Sequence, residues 1–217
     1  MIRITYYLDV ISSWCHYVEP VWKSLEETFG DVLEMDWQIA LIPKSGLPKS
    51  KAEEKWYYRR SGVITKSPYM LNSDWIDTSL EDFLIPNLVA VVCRDLGFAG
   101  DDVRLAITEA ALRRGEKVGT LEVSAGIAAK VSGYSVGAIM ELVAKPESEA
   151  KVRASTERFL SFGINQRPAF FVESEIEDRA IFSGLIQPEP LFATIRAMIE
   201  DARAYRAWSA HIDPFEE

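Results

Sequence analysis

The chain has 217 residues, 48% hydrophobic and 26% charged, enough to bury a substantial core without disulfide staples, as one large domain or one domain with an insertion. With 33 acidic against 24 basic residues the formal net charge is -9, and with no dense Lys/Arg run the balance argues against a nucleic-acid partner. Two cysteines, Cys15 and Cys93, and two histidines exclude a disulfide framework and all but exclude a Cys/His zinc site, and no stretch approaches the roughly 20 apolar residues of a membrane span.

Ile2, Ile4, Tyr6 and Leu8 alternate with Arg3, Thr5 and Tyr7, the period-two pattern of a strand. This start lacks a charged segment followed by an apolar run, so no secretory signal is expected and the address is a reducing cytoplasm. Residues 9–13 read as a turn. "WCHYVEPVWKSLEETFG" has helical spacing, a stop at Gly30, and an expected kink at Pro20. "LEMDWQIALI", residues 33–42, reads as a second strand, and the three elements fit a parallel βαβ unit.

"PKSGLPKSK" marks a linker, and from there to Gly163 the signals are helical. "KSKAEEKWYYRR" mixes signs and reads as a solvated helix face. Thr78 and Glu81 offer a capping box, Pro86 an opening for "NLVAVVCRDLGF", and Gly97 its end. "DDVRLAITEAALRRGE" has acids in its first turn and arginines in its last, matching the helix dipole. "LEVSAGIAAKVSG", "SVGAIMELVA" and "ESEAKVRASTERFLSFG" supply three more helices. "PAFFVES" and "RAIFSG", separated by "EIED", read as an antiparallel hairpin. A long final helix places Leu191, Ile195, Met198 and Ile199 on one face. The expected organisation is an α/β domain from residues 1–45 and 157–217, carrying one four-stranded sheet, with an all-helical insertion at 46–156.

"LDVISSWCHYVEP" is the stretch that carries chemistry. A βαβ…ββα chain whose first helix opens W-C-x-x-x-x-P resembles thioredoxin, and with a helical insertion it resembles the DsbA family. Its cytoplasmic branch is the most similar: FrnE-like disulfide oxidoreductases, 2-hydroxychromene-2-carboxylate isomerases and kappa-class glutathione transferases. The turn is similar to D-x-x-C-P-W-C of the first group, with Asp9, Trp14 and Cys15 kept. It is equally similar to D-x-x-S-P-Y-S of the other two, with Ser12 on their serine. "SFGINQRPAFFV" resembles the G-V-x-G-V-P-x-F-V segment and places Pro168 on the family's cis-proline. Three features depart from the pattern. Ser13 replaces the proline of the turn, Arg167 replaces a small apolar residue, and "FSGLIQPEP" offers Ser183 without the neighbouring Asp of a glutathione-binding pair.

The resemblance puts Ser12 where the attacking thiol of a dithiol site stands and Cys15 where the second, largely buried cysteine stands. A helix dipole worth about 0.3–2 kcal/mol cannot bring a serine hydroxyl to neutral pKa, so Ser12 alone cannot exchange disulfides. Either Ser12 is a plain N-cap, or it also donates to a thiolate brought from outside, with glutathione as the suspected thiol. Arg167 is expected to hold a ligand carboxylate or to form a surface salt bridge. Trp14 walls the pocket or covers the helix start. Trp56, Tyr57, Tyr69 and Trp75 line an aromatic pocket or fill the core, and His16 and Cys93 are read as surface and core. The implied function is a thiol-dependent isomerase or transferase on a small electrophile. A disulfide oxidoreductase working through Cys15 and a non-catalytic binder of extended peptides stay as alternatives, and a homodimer is compatible with each. No metal, membrane or nucleic acid is implied.

Overall fold

The computed structural model describes residues 1–209 apart from 81, 99, 185 and 186. In chain order the elements are β1 (Ile2–Leu8), α1 (Ser13–Phe29), β2 (Leu33–Ile39), α2 (Lys51–Ile64), α3 (Leu84–Asp95), α4 (Asp102–Leu112), α5 (Leu121–Ser132), α6 (Val136–Val143), α7 (Pro146–Ser161), β3 (Ala169–Ser174), β4 (Arg179–Ser183) and α8 (Glu189–Ser209). The four strands form one sheet in the order β2-β1-β3-β4. β1 runs parallel to β2, Ile2 opposite Leu33 and Leu8 opposite Ile39, and antiparallel to β3. β3 and β4 close the expected hairpin. This is the thioredoxin-like order with the helices α2–α6 inserted between the halves. α7 runs through the expected boundary at 157 and packs on both β2 and α3.

β1 alternates only at its start because both faces of the sheet are covered further along. On one face Tyr6 stacks on Phe170 at 4.9 Å and lies 5.2 Å from Trp22 of α1. The buried row of α8, Leu191, Ile195 and Met198, joins the same core. On the other face Tyr7, Ala169 and Phe171 pack with Phe159 of α7.

Several local expectations are corrected. β2 ends at Ile39 rather than at residue 42 because tertiary partners take the next backbone groups. The Leu41 N–H donates to Thr156 Oγ1 at 3.1 Å and the Ile42 N–H to Asp9 Oδ2 at 2.9 Å. The expected kink at Pro20 falls inside α1, which is not ended by it and continues to Phe29. No helix starts beside Thr78; the Asp77 carboxylate organises that turn by accepting from Ser79, and Glu81 lies outside the described residues. The Ser-x-x-Glu cap belongs to α2 instead. Ser50 Oγ accepts the Glu53 N–H at 3.1 Å, and Glu53 Oε2 accepts the Lys49 N–H at 2.6 Å. Pro86 sits third in α3, after Leu84 and Ile85.

The insertion grips the sheet at the β1–α1 turn. Asn87 of α3 donates to Asp9 Oδ1 at 3.0 Å and accepts the Val10 N–H at 3.1 Å. Thr108 of α4 donates to the Val10 carbonyl at 2.7 Å. Beneath the turn Arg104, 2% exposed, reaches Glu19 of α1 at 2.6 Å and Asp101 at 2.8 Å. Among the described residues no helix is long and apolar enough to cross a membrane.

Candidate active site

The site is built at the start of α1. Ser12 is extended (φ -76°, ψ 120°), and its Oγ accepts the Cys15 N–H at 3.3 Å, so it caps the helix. The same hydroxyl lies within hydrogen-bond reach of the Cys15 sulfur, and its rotatable O–H can instead donate to an acceptor in the cavity. The N–H groups of Ser13 and Trp14, the first of the helix, have no intrahelical acceptor and sit at the positive end of the dipole. Asp9 ties the turn from below. It is 2% exposed and accepts from Ile11, Asn87 and Ile42. Burial raises its pKa, and these hydrogen bonds oppose the rise.

Cys15 is free and 2% exposed. Burial pushes its thiol up to about 11, against the pull of the Ser12 hydroxyl. It is therefore a thiol and not a thiolate at neutral pH. Cys93 lies fully buried in α3.

The Arg167–Pro168 peptide is cis. Among the described residues Arg167 makes neither a salt bridge nor an open carboxylate fork. Its guanidinium donates to the backbone carbonyls of Ala40, Leu41 and Asn165, with its carbon 4.8 Å from the centre of the Phe159 ring. The first two of these carbonyls follow directly on Ile39, where β2 stops short. Ser183, exposed at the end of β4, spends its hydroxyl on the Gln166 carbonyl at 3.1 Å.

A cavity of about 350 Å³ opens in front of the helix start. Ser12, Ser13 and Trp14 form one wall, and Asn165, Gln166 and Arg167 a second. The loop from Ile42 to Pro48 closes a third side. The roof comes from the insertion: Glu54, Tyr57 and Arg60 of α2, with Trp75. Clefts of about 410 and 630 Å³ elsewhere hold neither the α1 N-terminus nor the segment before Pro168. Of the four aromatic candidates, Tyr57 and Trp75 line the cavity. Trp56 is 56% exposed, and Tyr69 stands outside with His16, whose Nε2 is 3.1 Å from its hydroxyl. Ser183 and Pro168 do not line it, and Cys15 lies behind it.

Two roof residues escaped the reading of the sequence. Arg60 is an exposed cation beside the rings of Trp14, Trp56 and Tyr57 (6.0, 5.1 and 5.3 Å), and among the described residues it forms no salt bridge. Glu54 is 7% exposed, and among the described residues no cation stands against it. It shares a buried stripe with Tyr58 and Ser61, the i, i+4, i+7 spacing that could have flagged it within an otherwise polar helix.

Burial raises the Glu54 carboxyl to about 7 from an ordinary 4.5, with Tyr58 opposing and Glu53 adding to the rise. A carboxyl with a raised folded pKa contributes stability that is complete below the unfolded pKa and lost as pH rises through the folded one. Stability should therefore fall between pH 5 and 8. Glu54→Gln should remove about 2–3 kcal/mol of that fall. Asp9 and Glu19 are also raised by burial, so the measure is the difference between wild-type and variant denaturation curves across this window. Parallel curves would contradict a buried Glu54 carboxyl.

No family model and no curated protein sequence matches the chain. Solved structures do. A protein of Nitrosomonas europaea provisionally described as a protein disulfide isomerase superposes with a TM-score of 0.76 at 20% identity, covering 92% of this chain and 98% of its own. The cytosolic disulfide reductase DsbM of Pseudomonas aeruginosa superposes at 0.73 with 17% identity, over 91% and 98%. A 2-hydroxychromene-2-carboxylate isomerase superposes at 0.61 with 12% identity, over 95% and 98%. The chain has the DsbA-like fold. In this DsbA-like frame the α1 N-terminus and the segment before the cis-proline converge on one cavity, and the insertion roofs it.

Proposed function

We propose that the protein is a glutathione-dependent enzyme of isomerase or transferase type, acting on a small electrophile in a reducing cytoplasm. The observation that carries this reading is the contrast between Ser12 and Cys15. The position facing the cavity has a hydroxyl and two free backbone N–H groups, and the nearby sulfur of Cys15 is buried with its thiol near 11. Such a site receives a thiolate well and supplies none. The DsbM structure with GSH is a protein of the same fold determined with this thiol, superposing at a TM-score of 0.70 and 16% identity. Arg167 is committed to carbonyls, so Arg60 at the mouth is the cation left for a glutathione carboxylate. The electrophile occupies the part of the cavity walled by Trp14, Tyr57 and Trp75.

The bound sulfur takes one charge-assisted hydrogen bond from Ser12, worth about 1.5–3 kcal/mol. Ser12→Ala should therefore weaken glutathione binding by roughly tenfold to a hundredfold. S-methylglutathione, which cannot ionise, should bind wild type less tightly and be nearly indifferent to the substitution. Calorimetry on both proteins with both ligands measures this. Equal glutathione affinity of the two proteins would leave Ser12 a helix cap and move the reading to peptide binding or to an oxidoreductase using Cys15.

A further inference from the structure

The α2 roof carries a group the thiol-binding reading does not use. Glu54 faces the same cavity as Ser12, Ser13 and Trp14. It is held from behind by a buried chain: the Trp75 indole N–H donates to the Tyr58 hydroxyl at 2.7 Å, and that hydroxyl stands beside the Glu54 carboxyl. Tyr58 and Trp75 are 0% and 1% exposed, so the chain is fixed while the carboxyl opens on the cavity. Among the described residues the titratable and charged groups around Glu54 are Glu53, Tyr57, Tyr58 and Arg60 on α2 and Arg167 across the cavity, with Tyr17 of α1 acting on Tyr58 behind it. Among the described residues no cation pairs with its carboxylate, so a structural ion pair does not explain a buried acid here.

We propose that Glu54 is the proton carrier of the site, taking the proton that glutathione gives up on binding and delivering it to the electrophile. The inference rests on the glutathione reading. Glutathione enters as a neutral thiol and is held as a thiolate at the α1 N-terminus. The S–H bond breaks, its electron pair stays on sulfur, and the proton passes to the Glu54 carboxylate. When the thiolate adds to the β-carbon of an unsaturated carbonyl compound, an S–C bond forms and the π pair of the alkene moves to an enolate. The Glu54 carboxylic acid then gives its proton to that enolate. An isomerisation returns the proton to Glu54 and the S–C pair to sulfur, so nothing is consumed. A transfer ends after protonation and leaves Glu54 a carboxylate for the next thiol. A carboxyl raised to about 7 is matched to both steps near neutral pH.

The proton count on binding tests this without a known electrophile. Glutathione is titrated into wild type and Glu54→Gln at pH 7.5 in two buffers of different ionisation enthalpy, and the ultraviolet absorbance of the bound thiolate is read in parallel. Gln keeps the shape of Glu54 and an acceptor for Tyr58, and circular dichroism checks the fold. The expected result is thiolate formation in both proteins, with well under half a proton released by wild type and about one per glutathione by Glu54→Gln. S-methylglutathione should release none from either. Thiolate formation with about one proton released by wild type, or with equal release by both proteins, overturns the role of Glu54 and leaves the glutathione reading standing. Absence of binding or of thiolate absorbance in wild type overturns the glutathione reading itself, and the carrier role with it.

Discussion

Ser12→Cys should convert a protein that does not reduce insulin disulfides above the dithiothreitol background into one that does, by at least about tenfold. The substitution puts sulfur where the Ser12 Oγ now sits, against the Cys15 N–H and beside the free N–H groups of Ser13 and Trp14. Donors and a dipole of this kind bring cysteine thiols down to about 3.5–7.5, so the new thiol attacks as a thiolate at neutral pH. Cys15, three residues on, is then placed to resolve the mixed disulfide. Its buried thiol, near 11, cannot start that chemistry but can finish it once a neighbouring sulfur is oxidised. Insulin turbidity measures the outcome, and the Ser12→Cys/Cys15→Ser double variant should stop at a stable mixed disulfide. Wild type that already reduces insulin, and loses the activity on Cys15→Ser, would make Cys15 the working thiol and refute the borrowed-thiol reading.

Arg104→Ala should cost about 3–5 kcal/mol, the usual effect of removing one partner of a buried ion pair. The side chain is 1% exposed and joins Glu19 at 2.6 Å and Asp101 at 2.8 Å. Glu19 also accepts from Tyr6 in β1 at 3.4 Å, and Asp101 from the Trp22 indole at 3.0 Å. One guanidinium thus fixes strand, first helix and insertion together. Its loss leaves two partly buried carboxylates without a cation and opens a cavity beside Trp37. At about 2–4 °C per kcal/mol for a chain of this size, Tm should drop by about 6–20 °C. Adding Glu19→Gln should recover part of the loss, because it removes one stranded charge. Denaturant unfolding of the three proteins provides the measurement, and a single-variant loss under about 1 kcal/mol would mean that water replaces the arginine.

The elements that could be read from the sequence are those whose signal is local. β1, α1 and the β3–β4 hairpin follow from period and turn residues, and the capping serine lies next to the helix it caps. What escaped depends on partners far along the chain. The end of β2 is set by Asp9 and Thr156, and Arg167 meets carbonyls that a full-length β2 would have used. Ser50 falls in a stretch with the composition of a linker and Glu53 in one with that of a solvated charged face, so their pairing as a capping box has no local signature, whereas Thr78 and Glu81 carry the spacing without the helix. Glu54 and Arg60 looked like parts of a solvated charged face. Only the folding of α2 over the α1 N-terminus turns one into a buried acid and the other into a cation at a pocket mouth.

The grip of α3 and α4 on the β1–α1 turn bears on how such a protein can be taken apart. A shortened chain joining residue 45 directly to 157 would keep all four strands and α1. It would also lose Asn87 and Thr108, leaving the Asp9 carboxylate with one donor fewer and the Val10 amide and carbonyl without the partners they now have. The insertion is therefore no detachable cap. The turn that opens α1 borrows its backbone satisfaction from the segment that roofs the cavity in front of it. A new roof grafted onto this sheet would have to bring an amide and a hydroxyl to the same two places before it could bring a new specificity.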